Sequence, residues 1–130
     1  MEIIDEIIEK RNTAANYYTE KLKKIPWVKA PFIHPNVSRM SWFVYVIRVS
    51  EEIRNALIDF LKDNGIGCKP YFTPIHLQPF YREAFGYNPG DFPITEKAGN
   101  ECVAIPFYTN LTREEIDYVV DTIKNFKNAF

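Results

Sequence analysis

Ser41-Trp42-Phe43-Val44-Tyr45-Val46-Ile47-Arg48-Val49 is the stretch on which the fold turns. A run of β-branched and aromatic residues without Gly or Pro reads as a strand. Phe43, Tyr45, Ile47 and Val49 alternate with Trp42, Val44 and Val46, so both faces are apolar and the strand asks for cover on two sides. Ser50 then caps a helix whose first turn carries Glu51 and Glu52, with Ile53, Leu57, Phe60 and Leu61 as its buried face. Asn64-Gly65 ends it, Gly65 being suited to the left-handed position just past a helix.

Upstream, Ile4, Ile8, Ala15, Tyr18, Leu22 and Ile25 recur at helical spacing, which predicts a helix from Glu2 to about Ile25, stopped by Pro26. Arg11 falls on that apolar stripe, where it either snorkels to water or pairs with a carboxylate of a partner surface. The chain to Val37, with Pro31 and Pro35, reads as extended chain and turn, with a short edge strand near Trp27 to Lys29 and His34 exposed and inert. Downstream, Gln78 to Phe85 and Thr95 to Glu101 read as short helices and Cys102 to Ile105 as a brief strand ended by Pro106. Thr112-Arg113-Glu114-Glu115 is a capping box that opens a last helix with Ile116, Val119, Val120, Ile123 and Phe126 on one face. The order predicts an α+β fold, a small antiparallel sheet with helices packed on one face.

With 130 residues there is room for one core. A net charge of -1 and no basic stripe weigh against nucleic acid. No apolar run is long enough to span a bilayer, and the acidic N-terminus lacks the pattern of a signal peptide. Cys68 and Cys102 form no CxxC pair, which fits a reducing, cytoplasmic setting. A zinc site from Cys68, His76, Cys102 and His34 would match no standard ligand spacing. Cys68 with His76 as its base lacks a positioning third group.

Between the second helix and the short ones lies Gly65 to Tyr81, a loop that carries three prolines, Pro70, Pro74 and Pro79, together with Tyr71, Phe72, Ile75, Leu77, Phe80 and Tyr81. Prolines stiffen it, aromatics line it, and His76 and Gln78 supply polar groups, the composition of a small-molecule site. Two readings are open: a ligand-facing loop, or a cap on the core with His76 a satisfied surface residue.

In order along nearly the whole chain stand Arg11-x-x-x-Ala15-x-x-Tyr18-x-x-x-Leu22, Phe43 to Arg48, Arg54 with Leu61 and Gly65-Ile66, Pro74-Ile75-His76-Leu77-Gln78-Pro79-x-Tyr81, Phe92-Pro93-x-Thr95-Glu96, and Ile105-Pro106-x-Tyr108-x-x-Leu111-Thr112-x-x-Glu115. This succession resembles the C-terminal part of the DegT/DnrJ/StrS family of sugar aminotransferases. The resemblance implies a small domain like that of aspartate-aminotransferase-type enzymes, with residues 1–25 the helix arriving from a large domain and 26–130 the small domain itself. It implies a pyridoxal phosphate enzyme in which the cofactor sits on a lysine of the large N-terminal domain, so that none is expected on this chain and no catalytic residue is assigned here. It further implies a nucleotide-linked keto sugar as substrate, with His76, Tyr71 and Phe72 on the substrate side, and a homodimer. Arg11 and the second strand face would then meet the large domain. Two rival readings are a stand-alone module that binds a nucleotide sugar without catalysis and a purely structural or dimerisation domain.

Overall fold

A computed structural model describes residues 2–129. The elements in chain order are α1 (Glu2–Leu22), β1 (Tyr45–Arg48), α2 (Glu51–Asp63), β2 (Lys69–Pro70), a single 3-10 turn (Ile75–Leu77), α3 (Pro79–Phe85), α4 (Pro93–Glu101), β3 (Cys102–Ile105) and α5 (Arg113–Phe126). The strands form one antiparallel sheet in the order β1-β3-β2, the α+β arrangement expected. β3 is central, pairing Val103 with Ile47 on one side and with Pro70 on the other. Pro70 is tolerated because β2 is an edge strand, where a missing N–H faces no ladder partner. Lys29 extends the opposite edge by a bridge to Arg48.

Strand pleating gives the sheet two unlike faces. Tyr45, Ile47, Val103 and Ile105 are buried with Ala15, Tyr18 and Leu22 of α1, Leu57 and Leu61 of α2, and Ile116, Val120 and Ile123 of α5 in one cluster. Val46, Ala104 and Cys102 on the other face are half-buried. Tyr18 stacks on Tyr45 with centroids 4.9 Å apart, and its hydroxyl donates to the Pro106 carbonyl at 2.7 Å. Thr19 Oγ1 and the Tyr45 hydroxyl share a hydrogen bond of 2.7 Å. Burial raises both phenols, Tyr45 to about 12.

The first strand is shorter than its composition suggests, and its pattern is broken at the start. Trp42 has a left-handed φ of 51°, a conformation rare for a bulky residue, and it throws the pleat out of phase. Trp42 is consequently buried against Tyr45, with centroids 5.6 Å apart, while Phe43 is 76% exposed. The turn is held by Arg11, whose Nη1 donates to the Trp42 carbonyl at 2.9 Å and whose Nε donates to Thr109 Oγ1 at 3.1 Å. Within the chain, the Arg11 guanidinium is thus spent on backbone carbonyls and the Thr109 hydroxyl instead of extending to water.

Helix ends follow local chemistry. Past α2, Gly65 adopts φ 77° and donates to the Lys62 carbonyl, while Ile66 donates to the Leu61 carbonyl, the paired bonds of a Schellman motif. α1 stops at Leu22, three residues short of expectation, as the chain tightens through Ile25 N–H to the Leu22 carbonyl. α4 begins at Pro93, before Thr95, because proline is favoured at a first helical position. No described helix is long and apolar enough to cross a membrane.

At α5 the capping box is complete: Thr112 Oγ1 accepts from the Glu115 N–H and the Glu115 carboxylate accepts from the Thr112 N–H. The Tyr108 hydroxyl also donates to that carboxylate. These bonds, Tyr108 first, hold the Glu115 carboxyl below its ordinary value of 4.5. A carboxyl depressed by folding stabilises above its unfolded pKa and loses that contribution as pH falls through the folded one. Glu115→Gln should thus lower the denaturation midpoint at pH 7, and the gap from wild type should narrow below about pH 4.5; a gap unchanged between pH 7 and pH 3 in denaturant titrations would contradict the assignment.

Candidate functional site

The prolines of the Gly65 to Tyr81 stretch shape two neighbouring hollows. Pro70 closes β2, Pro74 caps the 3-10 turn, and Pro79 starts α3, so the backbone of the segment is largely fixed by its own sequence. The first hollow is a mostly apolar cleft of about 460 Å³, into which Tyr71, Phe72, Pro74, Gln78 and Cys102 all face. Tyr71 and Phe72 lie against one another with centroids 4.3 Å apart, and Phe72 is 69% exposed. Because Cys102 is on the sheet face away from the helical core, the cleft is on that side as well.

The second hollow, also about 460 Å³, is a bowl of aromatic rings: Tyr81 and Phe85 from α3, Tyr87 and Phe92 from the following turn, and the His76 imidazole, with Thr95 at its edge. Successive rings touch, from Tyr81 to Phe85 (6.2 Å), Phe85 to Tyr87 (5.9 Å) and Tyr87 to Phe92 (5.6 Å). His76 meets Phe92 edge to face at 4.8 Å. Ile75 and Thr95 belong to both hollows and divide them. The structure thus places Tyr71 and Phe72 together and His76 in the adjoining bowl, with Gln78 on the side of the cleft.

His76 is only 6% exposed, not a surface residue. Its Nε2 is 3.6 Å from Glu96 Oε2, beyond hydrogen-bond range, and makes no hydrogen bond among the described residues. Glu96 itself is engaged, both carboxylate oxygens accepting from the Gly90 N–H at 2.9 Å. That bond ties the Gly86 to Asp91 turn to α4 and holds Tyr87 and Phe92 beside the imidazole. Glu96, Tyr87 and Phe92 join the site through tertiary contacts and carry no local signal of their own beyond the Phe92-Pro93-x-Thr95-Glu96 run.

The cleft depends on one close approach. A Cβ built on Gly99 of α4 would meet Pro74 Cγ and Cδ at 3.0 Å, so glycine lets the helix sit against the loop. The Gly99 carbonyl also accepts from Arg54 Nη1 at 3.0 Å, which anchors α4 to α2.

Neither thiol is poised as a nucleophile: burial raises both, and Cys68 Sγ donates to the Ile58 carbonyl at 3.6 Å. No cluster among the described residues has the His, Cys, Asp or Glu groups to hold a metal ion.

Residues 1–124 match the model of the DegT/DnrJ/EryC1/StrS aminotransferase family. Among curated relatives, the spore coat polysaccharide biosynthesis protein SpsC of Bacillus subtilis is 29% identical over 94% of the chain and 32% of its own length. The dTDP-3-amino-3,6-dideoxy-alpha-D-galactopyranose transaminase of Aneurinibacillus thermoaerophilus is 28% identical over 95% of the chain and 32% of its own length. The fold is shared with the aminotransferase TlmJ of Streptoalloteichus hindustanus (TM-score 0.82, 22% identity, 94% of this chain and 32% of that one). It is shared also with the E. coli GDP-4-keto-6-deoxy-D-mannose-3-dehydratase solved with bound hydrated PLP (TM-score 0.76, 22% identity, 92% and 31%). The chain spans about a third of the length of the curated relatives it matches.

Gly99→Val should cost about 1–3 kcal/mol by forcing Pro74 away from α4, measured by chemical denaturation; an unchanged stability would show that the contact does not set the position of the loop.

Proposed function

Because the chain belongs to the DegT/DnrJ/EryC1/StrS aminotransferase family, we propose that it is the C-terminal small domain of a pyridoxal phosphate-dependent aminotransferase of nucleotide-linked keto sugars. Residues 1–25 are then the helix arriving from a large domain, and 26–130 form the small domain. The observation that carries this reading is the pair of aromatic hollows on the loop of the family's Pro-Ile-His-Leu-Gln-Pro mark, within a chain that matches about a third of its relatives. The exposure of Ile3 (73%) and Ile4 (56%) on the first turns of α1 supports it, as an apolar edge that a further domain would cover.

None of the residues lining the cleft and the bowl is a lysine, so neither hollow offers the amine on which pyridoxal phosphate would be held. What they can do is bind and orient. Tyr71 and Phe72 offer ring faces to the C–H face of a sugar, and His76, fixed between Phe92 and the Glu96 carboxylate, holds the wall of the substrate pocket rigid. The chain alone is inactive on this reading, and the whole enzyme is a dimer with the cofactor held by the large domain.

The test uses protein that carries the large domain and assays amination of several nucleotide-linked keto sugars. His76→Ala and Phe72→Ala should each raise KM about tenfold or more, since a wall residue acts on substrate binding and orientation, and the 130-residue chain alone should give no turnover. Unchanged kinetics in both variants would remove the loop from the substrate pocket.

A further inference from the structure

Arg82 of α3 is unlike the other arginines. Arg11, Arg48 and Arg54 are spent on internal acceptors, Arg39 pairs with Asp5 at 2.9 Å, and Arg113 lies over the Tyr17 ring. The Arg82 side chain makes no hydrogen bond, ion pair or ring contact among the described residues. It lines a small hollow that shares Tyr87 with the aromatic bowl. An unpaired guanidinium thus stands next to a set of rings of which Phe85 and Phe92 are left 63% and 45% exposed.

Four rings that touch in sequence make a broad aromatic wall that suits a planar partner, whereas the cleft sets Thr73 and Gln78 beside its two rings, where sugar hydroxyls find hydrogen-bonding groups. A pyranose brings several hydroxyls, each of which costs free energy when buried without a hydrogen bond. A base presents two apolar faces and confines its polar atoms to an edge. A cation beside such a stack is where the phosphates of a nucleotide would fall.

We infer that the bowl of Tyr81, Phe85, Tyr87 and Phe92 seats the base of the nucleotide that carries the sugar, with Arg82 on its phosphates. This rests on the proposed reading of the chain as part of a nucleotide-sugar aminotransferase, and it assigns the two hollows different halves of one substrate: the base to the bowl, the sugar to the Tyr71 and Phe72 cleft. Glu83 lines the same hollow as Arg82 and opposes a phosphate there.

The experiment titrates the protein carrying its large domain with dTDP and with thymidine, by calorimetry, and assays keto-sugar amination in the same preparations. Phe85→Ala should weaken both ligands about tenfold or more, the size of a lost base stack. Arg82→Gln should weaken dTDP about tenfold and leave thymidine unchanged, and Glu83→Gln should tighten dTDP. Phe85 is exposed enough that its truncation spares the core. Binding of dTDP indifferent to both Phe85→Ala and Arg82→Gln overturns the assignment, and if amination continues with unchanged KM the aminotransferase reading survives it. Ligand effects as expected in a protein that aminates no keto sugar would support the nucleotide pocket while removing the aminotransferase reading.

Discussion

The structure depends on the pleat of one four-residue strand. The pleat of β3, the central strand, sends alternate residues to opposite faces of the sheet, so they serve two environments at once. Val103 and Ile105 complete the helical core, while Cys102 turns to the cleft beside Tyr71 and Phe72. A shift of register by one residue would exchange these sets, placing the thiol in the core and Val103 in the cleft. The helical side fixes that register: α1, α2 and α5 contribute to one continuous cluster with it, and the cleft inherits its geometry from a strand it does not itself stabilise.

The second constraint is the way the irregular segment is fastened to this frame. Three prolines limit its backbone, Gly99 allows Pro74 to touch α4, and Glu96 draws the Gly90 turn in by an N–H bond. The result is two aromatic hollows whose walls are held by helices on either side, not by the loop alone. Such an arrangement gives exposed rings a defined orientation, which is what a ligand wall requires and what a mobile loop of the same composition would lack.

Much of this is written locally in the chain. The capping box at Thr112, the glycine stop at Gly65 and the apolar run Cys102 to Ile105 specify their elements because each signal lies within a few residues of the structure it dictates. Non-local contacts account for the rest. The pattern from Ser41 reads as an unbroken strand, yet a guanidinium from α1 takes the Trp42 carbonyl and the chain turns through a left-handed residue before pairing begins. β2 is hidden by its own proline, which argues against a strand unless the edge position is known. His76 stands out as a candidate, but its burial and its Glu96 neighbour come from α4, so the division between cleft and bowl is visible only once the helices are placed.

On the proposed function, this loop is the substrate-facing wall of a larger aminotransferase, a role that hydrogen exchange reads at the backbone. Protein carrying the large domain would be compared with and without a dTDP-linked keto sugar. A substrate-facing loop gives slowed exchange across residues 71–92, the backbone that bears both hollows, with little change in the already protected strand 102–105. Protection confined to other regions, with residues 71–92 exchanging at the same rate in both states, would contradict it.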